Sequence, residues 1–402
     1  MYDKRNEIGG NIMTYEEKLQ QYKDWIFRRS AYQMAMAIIG IDKQTVAPSA
    51  GAAYRDERSA YLAGELFSIE TDPAMVQLLK ELKDDPQIDG DNKRAIELYY
   101  KQAMDTMCIP KEEFVAYQKL RDESFDAWIK AKSQSDYSIF EPYLKKIIEV
   151  SKKMYRYRNS DKNLYDQMLD DYEPGMTQEK YDVFFTALKE RLVPLIQKVT
   201  KAKQKNEAFL HQEFPIEDQK KFMIQLLAYL HFDSSWGYQN ESEHPFTSWT
   251  CENDCRTTTK YVTNDVVSAV LSTVHEVGHA YYEHNVDPKY DGMILSEGIS
   301  SGMHESQSRL CENYLARTTA FWKYHYPKLQ EIFPTQLGNV SIEEFYEAIN
   351  VAKPSFVRTE ADELTYPLHI LVRYEIEKGL FNGIISTEGL NETWNKMYKE
   401  YL

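Results

Sequence analysis

The sequence predicts a mainly α protein: a large helical body with a small β-hairpin or sheet beside one buried helix. Three observations predict it. Between about residues 14 and 210, apolar residues recur at helical spacing, interrupted only by short Pro, Gly or Asp breaks. From about Ser234 to Thr263 the text changes: Ser, Thr, Trp, Gly and His replace the Lys/Glu-rich segments, and β-branched residues cluster at residues 257–263. The next segment has apolar residues at 266, 267, 270, 271 and 274, the stripe of a helix that buries one face.

Taken in order, residues 1–13 read as a flexible, polar lead-in. Thr14 followed by Glu17 forms a capping-box pattern, so a helix starts there and runs to about Ile39. Gly40 to Gly51, with Pro48, reads as a loop. Helical text resumes at Ala52, with breaks at Asp72-Pro73, Asp84-Asp85-Pro86 and Ile109-Pro110. Residues 111–132 and 140–158 read as surface helices whose mixed charge is a solvated face. Residues 170–177 form a turn, and Thr177 caps a helix over 178–203; the acids of that turn lack the oxygen spacing of an EF-hand loop. Residues 234–263 are the small sheet. A Gly-bounded turn at 291–298 leads into a helix from about Ser300 through Leu310 and Tyr314. The chain reads as one domain over 1–402, with a helical part at 14–233 and a part carrying the candidate site at 234–402.

Composition narrows the function classes. Hydrophobic residues make up 43% and charged residues 28%, ordinary for a soluble globular chain. The 30 Tyr, 17 Phe and 6 Trp suit an interior and grooves built on large amphipathic rings. A net charge of −15 and a pI near 5.2 argue against nucleic acid as a partner. With no long apolar run and no charged-then-apolar leader, neither a membrane span nor a secretion signal is expected. Four cysteines, Cys108, Cys251, Cys255 and Cys311, are too few for a disulfide framework, so a cytoplasmic location follows by default. Cys251 and Cys255 lack the second pair that a structural zinc site needs.

The chemistry concentrates in His275-Glu276-Val-Gly-His279, an H-E-x-x-H pattern on the predicted buried helix. Residues four apart share a helix face, so both imidazoles can point at one ion, and Glu276 lies close enough to take a proton from a water there. A catalytic site of this kind needs a third protein ligand. Glu305, 26 residues after His279 on the next predicted helix, is the candidate. His284 falls about 140° around the helix and points elsewhere. Glu283 would make three ligands from one straight helix, an unusual arrangement. His304 suits a supporting role behind the ligands.

Several further stretches, in order, resemble the M32 metallocarboxypeptidases, the carboxypeptidase Taq family: His244-Pro-Phe246, Asp254-Cys-Arg256-Thr-Thr258, His275-Glu-Val-Gly-His279, His304-Glu-Ser-Gln307 and Val357-Arg358-Thr-Glu-Ala-Asp362. Residues 165–177 also look like a family segment. The resemblance implies a zincin-type (gluzincin) helical body with a long groove, one divalent metal per chain, zinc or cobalt, and release of single residues from peptides with a free C-terminus. It also implies a homodimer. Carried over, His275, His279 and Glu305 bind the metal and Glu276 activates water. Arg256 and Arg358 hold the terminal carboxylate, helped by Asp254, Thr258 and His244. A guanidinium fork matches a carboxylate in two hydrogen bonds, which is what recognition of a chain end requires. The family's later G-x-x-Q-D-x-H-W motif and the segment after it have no counterpart before Leu402. That departure leaves an endo-acting oligopeptidase with the same site, or a silent peptide-binding or dimerisation protein, as alternatives.

Overall fold

The computed structural model describes residues 13–158 and 160–402. The lead-in expected over 1–13 lies, apart from Met13, outside the described residues. The first helix, α1 (Tyr15–Thr45), opens on the predicted capping box: Glu17 N–H donates to Thr14 Oγ1 at 3.2 Å and Thr14 N–H to Glu17 Oε2 at 2.8 Å. It runs six residues past Ile39, correcting the loop expected from Gly40. No neighbour approaches Gly40 within 4 Å, and residues 41–45 have no reason to leave the helix once it has started.

There follow α2 (Ala52–Glu70), α3 (Pro73–Asp84), α4 (Gly90–Met107), α5 (Lys111–Gln134), α6 (Glu141–Tyr157), α7 (Leu164–Tyr172) and α8 (Gln178–Val199), with breaks at the predicted Pro and Asp positions. Thr177 caps α8, which stops four residues short of the expected end. After α9 (Ile216–Tyr229) come strands β1 (Gly237–Glu241), β2 (Thr247–Cys251) and β3 (Asp254–Thr259), then α10 (Val266–His284). The remaining helices are α11 (Ser301–Arg309), a π-helical stretch (Leu310–Ala316), α12 (Thr319–Ile332), α13 (Pro334–Leu337), α14 (Ile342–Ile349), α15 (Tyr366–Phe381) and α16 (Leu390–Tyr401).

The sheet has the order β1-β3-β2, with β2 antiparallel and β1 parallel to β3. The strand expected at 257–263 starts and ends earlier. Alternation then sorts its residues. Cys255, Thr257 and Thr259 are buried at 0%, 1% and 0% exposure against α10, where Thr259 Oγ1 donates to Ala269 O at 3.3 Å. Asp254, Arg256 and Thr258 therefore sit on the other face.

Three apolar cores hold the chain. The largest surrounds α10, whose Val266, Val270, Val274, Val277 and Ala280 pack with Phe214, Phe222, Trp322 and Phe345. A second joins α1, α3 and α4 through Tyr22, Trp25, Leu79, Leu82 and Tyr99. The third packs Tyr165 and Phe185 against Leu368, Leu371, Val372 and Tyr398. These cores do not follow a division at residue 233: α9 belongs with α10, and the last two helices return to α7 and α8. The link between α10 and α11 is fastened to the first helices. Ile294 N–H donates to Tyr99 OH at 2.6 Å, Tyr290 OH donates to Asp91 at 2.7 Å, and buried Arg29 reaches Glu297 at 3.6 Å and Glu70 at 2.7 Å. Among the described residues no helix is long and apolar enough to cross a membrane, and the four cysteines are free.

Candidate metal centre

The apolar stripe of α10 sinks that helix into the main core, and its polar turn at 275–279 emerges where α11 crosses. Ser300 caps α11, accepting from Met303 N–H at 3.2 Å, and this sets Glu305 opposite both histidines. Glu305 Oε2 lies 3.5 Å from His275 Nε2 and 3.3 Å from His279 Nε2. Ligand atoms of the three residues all lie within 4.8 Å of one another. A tetrahedral ion with bonds of roughly 2.0–2.1 Å separates its ligands by about 3.3–3.4 Å, so these two separations match the edges of such a site. Two imidazoles and a carboxylate are also the donor set of a catalytic zinc site, so the residues fit the metal.

Gly278 makes this approach possible. A Cβ there would meet Ser308 Cα at 2.8 Å and Gln307 O and Cys311 Cβ at 3.0 Å, so only glycine lets the two helices cross this closely.

Each imidazole is fixed at the nitrogen it does not offer to the cluster. His275 Nδ1 lies 2.8 Å from Glu312 Oε2; an ionised carboxylate only accepts, so Nδ1 carries a proton and Nε2 is the nitrogen that faces Glu305. His279 Nδ1 lies 2.6 Å from His304 Nδ1, and His304 Nε2 lies 2.5 Å from buried Glu283. Glu283 draws the His304 proton to Nε2, His304 Nδ1 accepts from His279, and the Nε2 of His279 is left free. Arg309 braces both carboxylates, donating from Nε to Glu305 Oε1 at 3.1 Å and from a terminal nitrogen to Glu312 at 2.8 Å. Glu312 belongs to the π-helical stretch, a local widening that recurs at functional sites.

The charges respond to this packing. Burial alone would lower the pKa of His275, but hydrogen bonds to Glu305 and Glu312 outweigh it and raise it to about 9. Burial would raise Glu305; the two histidines overcome that and hold it well below the usual carboxylate range. Glu276, 6% exposed, is shifted up, chiefly by desolvation. The Thr247 hydroxyl lies 2.6 Å from Glu276 Oε2 and 2.9 Å from its carbonyl oxygen. From β2, then, one side chain orients the candidate base, and two residues on the Trp249 ring stacks over His304 at 5.3 Å. Between Trp249 and the Met34 and Ala37 side of α1 lies a cavity of about 290 Å³.

The other predicted residues divide. Arg358 lies beside the cluster: it donates to Tyr366 OH at 2.9 Å, and that hydroxyl lies 3.4 Å from Glu305 Oε1. Among the described residues no carboxylate pairs with Arg358. His244, in the β1–β2 loop, is held below the usual histidine value by desolvation and then by the positive charge of Arg358, with His275 also contributing. Arg256 has, among the described residues, no hydrogen bond or ion pair to the cluster. It projects from the β3 face away from α10, and Asp254 closes its fork with two bonds of 2.8 Å. Thr258 is 2% exposed and accepts from Phe246 N–H at 2.9 Å, fastening the loop that carries His244. Glu312, Arg309, Thr247 and Tyr366 were not singled out from sequence. For Glu312 and Arg309 a signal existed, since 305, 309 and 312 repeat on one helix face.

The carboxypeptidase Taq (M32) metallopeptidase family model matches residues 21–402. The chain belongs to the M32 family. Family membership makes it a metal-dependent carboxypeptidase, with the cluster of α10 and α11 as its candidate centre. This M32 chain is 40% identical over 393 residues to Carboxypeptidase 1 of Bacillus subtilis (strain 168), covering 97% of its own length and 78% of the relative's. It superposes on the crystal structure of BsuCP with a TM-score of 0.93 at 39% identity, over 96% of this chain and 78% of that one. An M32 carboxypeptidase from Deinococcus radiodurans R1 superposes with a TM-score of 0.88 at 31% identity, again over 96% and 78% of the two chains.

Proposed function

We propose that this M32 carboxypeptidase is a zinc enzyme in which His275, His279 and Glu305 hold the ion, Glu276 carries the proton and Arg358 receives the terminal carboxylate of a peptide. One observation carries the reading: Glu305 Oε2 lies 3.5 Å and 3.3 Å from the Nε2 atoms of His275 and His279, and each Nδ1 is hydrogen-bonded from behind. Cobalt can take the same three ligands.

A divalent ion held there supplies Lewis acidity that polarises the scissile carbonyl and acidifies a water. The protein supplies the rest. Arg358 offers a guanidinium fork to the chain end, and its neighbourhood to Glu305 through Tyr366 brings the last peptide bond beside the cluster. Glu276 takes the water's proton on one carboxylate oxygen while Thr247 holds the other, then returns it to the leaving nitrogen. Its burial-raised pKa suits a group that must accept and release a proton in one turnover. Arg256, already paired with Asp254, is given no part in carboxylate recognition.

Matched peptides with free-acid and amidated C-termini test this, on protein stripped with a chelator and then given zinc or cobalt. Only the reconstituted protein should release the last residue, and only from the free acid. Equal cleavage of the amide would point to an endo-acting peptidase, and full activity without metal would remove the ion from the account.

A further inference from the structure

We infer that Tyr366 is a positioning residue for substrate recognition: its hydroxyl holds the Arg358 guanidinium at the metal-binding cluster. This rests on the carboxylate-binding role proposed for Arg358.

The backbone at Tyr366 is fixed from the preceding turn. Asp362 accepts from Leu364 N–H at 2.9 Å, Thr365 N–H at 3.0 Å, Thr365 Oγ1 at 2.7 Å and Lys353 N–H at 3.1 Å. Tyr366 N–H donates to Asp362 O at 2.9 Å, and Tyr366 opens α15 directly before Pro367. As the first residue of α15, Tyr366 has the Cα–Cβ direction that the helix backbone gives it. The ring itself is then clamped. The guanidinium carbon of Arg309 lies 3.8 Å from its centroid, and Arg309 is immobilised by Glu305 and Glu312.

The direction of the two bonds at the hydroxyl is forced. A guanidinium has no acceptor, so Arg358 donates to the phenol oxygen; a carboxylate without a proton has no donor, so the phenol proton points to Glu305. The lengths differ, 2.9 Å on the Arg358 side and 3.4 Å on the Glu305 side. The shorter bond carries the larger share, so loss of the hydroxyl acts first on Arg358 and on substrate capture, and only weakly on the ligand. Arg358 lacks a carboxylate partner among the described residues, which leaves this hydroxyl as the contact that holds its fork while substrate is absent. Arg358 and Asp362 therefore belong to one device: Asp362 sets the turn, the turn aims Tyr366, and Tyr366 aims the arginine.

Tyr366→Phe keeps the ring on Arg309 and removes only the hydroxyl. In the zinc-loaded protein, with free-acid peptides, the expected result is a KM at least about tenfold higher and a kcat within about tenfold of the parent, the size expected for a lost bond to a charged group. A smaller rise in KM overturns the proposal, and so does a larger loss of kcat, which would put the hydroxyl at the reacting bond. On an Arg358→Lys background, whose fork is already gone, Tyr366→Phe should add less than about threefold to KM; a larger addition means the hydroxyl acts by another route. If Arg358→Lys itself leaves KM unchanged, the carboxylate assignment fails and this proposal falls with it. If Arg358→Lys raises KM and Tyr366→Phe does not, only the proposal for Tyr366 fails. Zinc stoichiometry near one per chain in both variants separates these outcomes from loss of the fold.

Discussion

In the metal-free cluster His275 holds a proton that an ion must displace. Its folded pKa of about 9 lies above the unfolded value of 6.5, so its pairing with Glu305 and Glu312 stabilises the metal-free protein fully below about pH 6.5 and is lost as pH rises through about 9. Zinc binding competes with the same proton. Its apparent affinity should rise about tenfold per pH unit between roughly pH 7 and 9, with one proton released per ion. Titration calorimetry at one pH in buffers of different ionisation enthalpy measures that proton, and zero release would contradict the charge state described. Helical spacing put His275, Glu276 and His279 on one stretch of α10; Glu305 and His304, on the next helix, were read from the need for a third ligand and from the family resemblance, and only the crossing of the two helices brings them close. A motif gives residue types but not strand parity, and parity puts Arg256 on the β3 face away from α10, where Asp254 closes its fork. Tyr366 carries no sequence signal of its own; the role inferred for it comes from the bond that its hydroxyl accepts from Arg358, which only the turn before α15 brings about.

At the scale of elements, the site is a crossing of two helices. In the sequence pattern Gly278 occupies a free position of H-E-x-x-H, yet it decides how closely α10 meets α11. Two of the three atoms that a Cβ would strike, Ser308 Cα and Gln307 O, are backbone and cannot swing aside. Gly278→Ala should cost about 1–3 kcal/mol by overpacking and should weaken zinc binding as Glu305 is pushed from His279. Urea midpoints and a competition assay with a chelator check both; an unchanged affinity would mean that the crossing is not what sets the ligand. The strand text at 257–263 announced a sheet but not its pairing. Parallel contact between β1 and β3 depends on where the chain returns after β2, and no local period encodes that.

At the scale of the whole molecule, three cores assemble segments far apart in sequence. Over residues 14–203 helical periodicity marked most helix bounds to within a few residues, because Pro and Asp breaks are local; it marked no helix beyond about residue 314. It could not say that α15 and α16 return to α7 and α8, since apolar faces are alike before they meet. Two buried histidines carry a cost of that packing. His325 and His369, 1% and 0% exposed, are held neutral by desolvation with pKa values of about 4. These lie below the unfolded value of 6.5, so the stability they allow is complete above about pH 6.5 and lost as pH falls toward 4, by roughly 2 kcal/mol each at pH 5. Urea unfolding at pH 7 and pH 5 should show the loss, with His325→Phe reducing it. A pH-independent midpoint over that range would mean that neither histidine is kept uncharged. Whether the crossing of α10 and α11 holds the catalytic ion is decided by anomalous diffraction at the zinc edge from crystals of the zinc-loaded protein. One strong peak per chain is expected, bounded by His275 Nε2, His279 Nε2 and Glu305 Oε2. A peak elsewhere, or none at those three atoms, would contradict that placement.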